Sequence, residues 1–435
     1  MSRDLIAIPA LEKSFLYSCG GKKGLVIGID VSLDEAVDRN RLTAAVRKAL
    51  AAKPHFRSVP AVSDHRFYYR IREGEPDILE GVNRTVSLGR EESRGFLFLV
   101  CMEDRRISFR VHHALADARG WIDFVRTALA FYYGEDADPA LDGGLVPFVE
   151  KHIDESRPFG KYKIGKYPVF TPPEERFPVE ENRCRAFLLT LPLSGLMKEV
   201  KRTESSPAVL FSALISEAFC RVYETGDRVV VANTAVDARR FFGERAENNA
   251  SLGAWIPYHP RLRKMKPDLR PSLLRARLML EIQEENLVEE MRDVASLSDM
   301  VDNALSSVSL SGLLELTGKA QENNNRERRF PLTYQLAYAG HVSFTPVAEE
   351  HVQKLVFSYP AYENQSNFDI VEHGGVITVS YMQNFEGNGM ISEFARMLQE
   401  LVPETVLEDL GERSIDSFDL SDYLKTKEVP SKIVR

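Results

Sequence analysis

The stretch RISFRVHHALADARGWIDFVRTALAFYY, residues 106 to 133, limits the fold more than any other. It begins as an alternating strand. The continuous apolar run GFLFLVCME lies just before it, across the polar turn EDRR, so the two runs predict a β-hairpin. After HHALADARG comes a helical pattern, with Trp121, Val125, Ala128, Leu129 and Tyr132 on one face. A hairpin feeding straight into an amphipathic helix excludes an all-α or all-β chain. In the alternation, Ile107, Phe109, Val111 and His113 share one phase, and Ser108, Arg110 and His112 share the other. If the strand persists, His113 points to the apolar side. Desolvation there keeps imidazole neutral near pH 7, and a neutral ring can accept a proton. Its second nitrogen needs a partner. Asp117 either folds back toward that nitrogen or pins the loop. The competing readings are a satisfied core histidine and a metal site. The metal reading needs further ligands, and no second cluster with ligand spacing is visible, so no metal is expected.

Both halves of the chain carry strands and helices. In the first half, DEAVDRNRLTAAVRKALAAKP predicts a helix through Ala36, Val37, Leu42, Val46 and Leu50, stopped by Pro54. HRFYYRIRE predicts a strand. Between about 134 and 183 there are seven prolines and little periodicity, which predicts a linker or crossover. In the second half, RAFLLTLPL and DRVVVANTAVDAR read as strands, and AVLFSALISEAFCRVYE as a helix. PSLLRARLMLEIQEENLVEEMRDV reads as one long helical stretch. LTYQLAYAG and KLVFSYPA are further strands. SNFDIVEH and VITVSYMQN flank Gly374-Gly375 in a hairpin, and SEFARMLQELV closes the chain as a helix. The expectation is an α/β (α+β) chain of two lobes with mixed or antiparallel sheets: an N-terminal lobe over 1–150, a linker over 151–183 and a C-terminal lobe over 184–435.

Composition removes several functions. The 435 residues are 44% hydrophobic and carry a formal net charge of −8, so a nucleic-acid reader is not expected. No apolar run reaches the roughly 18 residues that suggest a membrane-spanning helix. The N-terminal segment carries charges where a signal peptide would be apolar, which points to the cytoplasm. Cys19, Cys101, Cys184 and Cys220 are scattered and read as reduced thiols. No phosphate-cradling glycine loop is present.

HHALADARG resembles the H-H-x-x-x-D-G signature of the chloramphenicol acetyltransferase-like superfamily, which includes peptide-synthetase condensation domains, alcohol acetyltransferases and plant acyltransferases. VVVANTAVDARRFF is similar to the strand and D-x-R segment of that family's second lobe. NNASLGAWI is similar to its N-x-x-G stretch, LAYAGHV to its S-x-x-G strand end and FDIVEHGGVITVSYMQN to its late hairpin. There are departures. Ala118 stands where the glycine follows the aspartate, with Gly120 two residues on, and the plant D-F-G-W-G motif is missing.

The resemblance implies two chloramphenicol acetyltransferase-like lobes meeting at a tunnel. It implies an acyltransferase that moves an acyl group from acyl-CoA to a hydroxyl or amine, with no acyl-enzyme and no bound cofactor. His113 would be the general base. Asp117 would be structural and paired with Arg239, Asp237 would brace the same loop, and His112 would orient it. Backbone N–H groups near Ala118 to Gly120, or a hydroxyl or amide from the second lobe, would hold the oxyanion. The alternatives are a free-standing condensation-type enzyme using a carrier-protein-bound acyl donor, and a non-catalytic binding protein that keeps the fold. A monomer is the simplest expectation. The basic runs Lys161, Lys163, Lys166 and Arg261, Arg263, Lys264, Lys266, Arg270 could meet donor phosphates or be solvated surface. NNNRERR, 323 to 329, reads as an exposed loop.

Overall fold

A computed structural model describes residues 5–17, 24–63, 66–137, 140–153, 168–178, 181–305, 312, 332–361 and 366–425. Lys161, Lys163, Lys166 and the 323–329 loop lie outside these residues. Two sheets dominate. The first has five strands in the spatial order Val352–Ser358, Val26–Leu33, Arg106–His112, Phe98–Glu103 and Ile78–Glu80. The second has seven, in the order Ser251–Tyr258, Val230–Asp237, Tyr334–His341, Ser366–His373, Val376–Gln383, Arg183–Pro192 and Val406–Ser414. Both mix parallel and antiparallel pairs. This is the two-lobed mixed α/β architecture that the sequence predicts.

Local chemistry accounts for the elements that frame the site. The hairpin Phe98–Glu103/Arg106–His112 turns at Asp104, whose φ of 51° is the left-handed conformation a tight turn demands. Its partner helix, Ala118–Tyr132, is capped by Asp117, whose side chain accepts from the Gly120 N–H. Trp121, Phe124, Val125 and Leu129 of that helix are buried in the core beneath the five-stranded sheet. A second core lies between the seven-stranded sheet and the helices Pro207–Val222 and Gly389–Leu401. A third, smaller core joins Ala10 and Leu11 to Phe148, Ala250, Leu252 and Leu287. It brings together an N-terminal helix (Ala10–Tyr17), the loop before Ser251–Tyr258 and the helix Glu284–Leu305.

The chain crosses between the sheets late. Val352–Ser358 follows four strands of the second sheet in sequence, yet it pairs antiparallel with Val26–Leu33 of the first. Ser417–Phe418 pairs with Ser87–Leu88. Among the described residues, no helix is long and apolar enough to cross a membrane.

Three local readings change. The helix predicted from Ala36 starts at Arg39, because the Asp38 side chain accepts from the Arg41 N–H and caps it there. The long helical stretch is two helices, Arg270–Glu281 and Glu284–Leu305, broken at Ile282-Gln283. The strand before the motif ends at His112, so the alternation does not carry His113 onward. His112 is the fully buried ring, and His113 turns out of the strand after its N–H donates to Leu25 O at 2.7 Å.

Candidate active site

The loop 113–117 is fixed from both lobes. Asp117 and Arg239 are 3% and 2% exposed, a burial that an unpaired charge would make very costly. Arg239 Nη1 lies 2.9 Å from Asp117 Oδ2, and Nη2 donates to Oδ1 at 2.9 Å. The remaining acceptor capacity of Asp117 takes the N–H of Gly120 at 3.0 Å and of Ala250 at 2.9 Å. Burial alone would raise this carboxyl; the Arg239 guanidinium and the two N–H donors outweigh it and hold Asp117 below the ordinary carboxylate range. Arg239 also donates to Ala246 O at 2.7 Å, to Asn248 O and to Asp237 Oδ1 at 2.9 Å. Asp237 therefore braces the arginine rather than the motif loop. The pair ties the motif loop to the loop 245–250.

Gly120 serves packing. A Cβ at this position would lie 2.0 Å from Glu247 O, so the helix start and the second lobe's loop touch through bare backbone. Its N–H is spent on Asp117. Ala118 is the first helical residue and is not among the residues with positive φ, so the missing glycine costs no strain. Gly120→Ala is expected to destabilise by about 1–3 kcal/mol through overpacking. Chemical denaturation of the two proteins measures it; an unchanged midpoint would mean that the loop yields freely.

His113 is half-buried between the lobes. Its ring stacks on Phe15, centroids 3.7 Å apart and planes 11° apart, and meets the edge of Tyr359 at 5.5 Å. Its second nitrogen does not meet Asp117. Nδ1 lies 3.0 Å from Asn249 Oδ1, while Asn249 Nδ2 donates back to His113 O at 2.8 Å. The amide orientation follows from its neighbours: His113 O and Glu12 Oε1 accept only, so the NH2 faces them and Oδ1 faces the ring. Nδ1 then carries the proton and Nε2 the lone pair. Burial pushes His113 below the ordinary imidazole value, against the opposing pull of its own carbonyl, Asp117 and Asn249. The ring rests neutral near pH 7. It is a neutral imidazole with a fixed tautomer.

His112 has another surrounding. Burial, then the neighbouring His113, push it down to about 3, so it stays uncharged. Its Nδ1 accepts the Ala114 N–H at 3.1 Å, which shapes the turn that delivers His113. Tyr69 OH donates to Ala114 O at 2.7 Å from the other side.

Several residues here escaped sequence reasoning: Glu12, Phe15, Asn248, Asn249 and Tyr359. Asn248 bonds Val146 through both amide atoms at 2.8 Å, so the loop 245–250 is held against the connecting segment too. Behind it, Lys53 is 1% exposed and lies 2.8 Å from Asp123 and 2.9 Å from Glu247. That buried triad ties the motif helix to the same loop. In the basic run 261–270, Arg263 is spent on Thr225 and Gly226 O, and Arg270 on Glu217 and Arg263 O. These two brace the second lobe. Among the described residues, no group of three or more His, Cys, Asp or Glu side chains could hold a metal ion.

No family model matches the chain, and no curated protein matches it by sequence. Solved structures match its fold. Polyketide synthase associated protein 5 from Mycobacterium tuberculosis superposes with a TM-score of 0.61 at 12% identity, over 93% of this chain and 99% of that one. F. sporotrichioides TRI101, solved with coenzyme A and T-2, gives 0.60 at 11% identity, over 94% and 100%. The epimerization domain from the third module of tyrocidine synthetase B gives 0.60 at 10%, over 93% and 97%. The chain shares its fold with these proteins, the two-lobed fold expected from the resemblance of the His-His-x-x-x-Asp pattern. At such identities the likeness concerns fold; chemistry has to be argued from the site.

Proposed function

We propose that this protein is an acyltransferase that moves an acyl group from a thioester donor to a hydroxyl or amine, with His113 Nε2 as the general base. One observation carries the reading: the His113 ring is locked through Nδ1 by Asn249 and stacked on Phe15, leaving Nε2 as the basic atom where the two lobes meet. In the reaction, Nε2 takes the proton of the acceptor O–H or N–H as the heteroatom attacks the thioester carbonyl. The tetrahedral intermediate then expels the thiolate, which recovers the proton from the imidazolium. The acyl–sulfur bond breaks, the acyl–oxygen or acyl–nitrogen bond forms, and His113 ends neutral. The thioester is already activated, so the reaction requires no further energy source. Asp117 and Arg239 hold the loop and transfer no proton. TRI101 with its coenzyme A, and the trichothecene 15-O-acetyltransferase TRI3, share the fold and support acyl-CoA as the donor class.

The test offers the protein a panel of acyl-CoAs and, separately, acyl groups on a phosphopantetheinylated carrier, each with pooled alcohols and amines. Product mass and free thiol are read together. Acceptor-dependent thiol release from acyl-CoA is expected. Release from the carrier alone would move the donor assignment to condensation-type chemistry. Neither would leave a binding protein.

A further inference from the structure

We propose that Glu12 is a positioning residue for the base: as a carboxylate it holds the Asn249 amide in the orientation that keeps the His113 proton on Nδ1, and it supplies the counter-charge for the imidazolium formed during the reaction. This rests on the reading of His113 as the base.

Glu12 sits on the helix Ala10–Tyr17, one turn before Phe15, and is 0% exposed. Its Oε1 accepts from Asn248 Nδ2 at 2.7 Å, Asn249 N at 2.9 Å and Asn249 Nδ2 at 3.2 Å. An acceptor-only group at this point forbids the flipped amide, which would turn Oδ1 onto a carboxyl oxygen. Asn249 Oδ1 then faces His113 Nδ1. The other oxygen, Oε2, is buried with no hydrogen-bond partner among the described residues. For stability alone this is a poor choice of residue, because a carboxylate removed from water wants a cation or a full set of donors.

Among the described residues, the groups around Glu12 do not supply that cation. On its own helix, Lys13 and Tyr17 both bond Asp302 of the helix Glu284–Leu305. From Phe148–His152, Glu150 accepts the Ala10 N–H. Tyr69 from the strand Arg66–Ile71 adds a phenol whose hydroxyl is engaged with Ala114 O. Asp117, from the motif loop, already holds Arg239. Among the described residues, the remaining titratable neighbour is His113, reached through one amide. It is neutral at rest and becomes positive on taking a proton. Glu12 therefore interacts more favourably with the state that forms during the reaction than with the resting one, which is what raises a rate. Burial pushes the Glu12 acid up to about 7, against the opposing bonds from Asn248 and Asn249, so this support is present above that pH and absent below it.

Glu12→Gln keeps an acceptor oxygen for the asparagine donors and removes the charge. It is expected to lower kcat roughly 10- to 100-fold at pH 8 with little change in KM, to flatten the rise of wild-type kcat through about pH 7, and to leave the melting temperature at pH 8 unchanged or higher. A folded Glu12→Gln with wild-type kcat and wild-type pH profile would overturn the proposal. So would parallel loss of kcat and melting temperature, the mark of a purely structural acid. The tautomer is read without turnover by 15N chemical shifts of labelled histidine, with His113 assigned from His113→Ala. Glu12→Leu is expected to shift His113 away from a single Nδ1–H form, and an unchanged tautomer would contradict the account. This readout stands even if the wild type transfers no acyl group, in which case the functional reading fails and the role of Glu12 is judged by itself.

Discussion

Arg239→Ala is expected to lower the unfolding free energy by about 3–5 kcal/mol, the usual cost of leaving one half of a buried ion pair without its partner. Asp117 would keep two N–H donors, from Gly120 and Ala250, but lose its only cation among the described residues, and at 3% exposure water does not replace it. Ala246 O and Asn248 O would lose their donor as well. The pair also has a pH signature. The Asp117 carboxyl is depressed in the folded protein, so its stabilising contribution is present above the unfolded-state value near 3.9 and is lost as pH falls through the folded value. In Arg239→Ala the carboxyl is raised instead, and the variant loses stability as pH climbs above about 4. Urea denaturation at pH 3, 5 and 8 measures both effects. The double variant Asp117→Leu, Arg239→Met should be more stable than Arg239→Ala, because both charges are then gone. If the double variant is the worse, the stranded Asp117 charge is not what destabilises Arg239→Ala.

His113→Ala is expected to lower kcat by about 10²–10⁴-fold while the protein stays folded. The substitution removes one half-buried ring, its stack on Phe15 and one bond to Asn249. Its structural cost is therefore far below that of Arg239→Ala. The pH profile of Glu12→Gln, which lacks the ionisation assigned to Glu12, identifies the group. His113 lies below the usual imidazole value of about 6.5, so the base form fills, and the rate rises, as pH climbs through that lower value. A wild-type profile with no ionisation on the acid side would remove His113 from the proton transfer. His112→Ala, in contrast, is expected to cost stability as much as rate, because that ring supports the turn at Ala114.

The fold was largely legible because the hairpin, the capped helix and the Gly374-Gly375 turn are local patterns. Their signals need only a few neighbouring residues. The seating of Val352–Ser358 was not legible: the segment reads as a strand, but its partner at Val26–Leu33 is set by tertiary packing. The break at Ile282-Gln283 has neither glycine nor proline to announce it. At the site, His113 and Asp117 stood out because a His-His-x-x-x-Asp spacing between strand and helix is unusual, and Arg239 followed from the D-x-R resemblance. Asn249 lay inside a stretch marked only as similar to N-x-x-G. Glu12 had a readable signal. Leu16 follows it at i+4 on the helix and is 0% exposed, so an acid occupies the buried face of the helix. What the acid reaches, more than 230 residues further along the chain, is visible only in the fold.

The most direct test of the central claim is single-turnover thiol release from an accepted acyl donor, with and without acceptor, in wild type and in His113→Ala. Release by the wild type that requires the acceptor, with no burst in its absence, and that disappears in the variant, is the predicted result. Release that ignores the acceptor, or that His113→Ala retains, would contradict direct transfer by a histidine base.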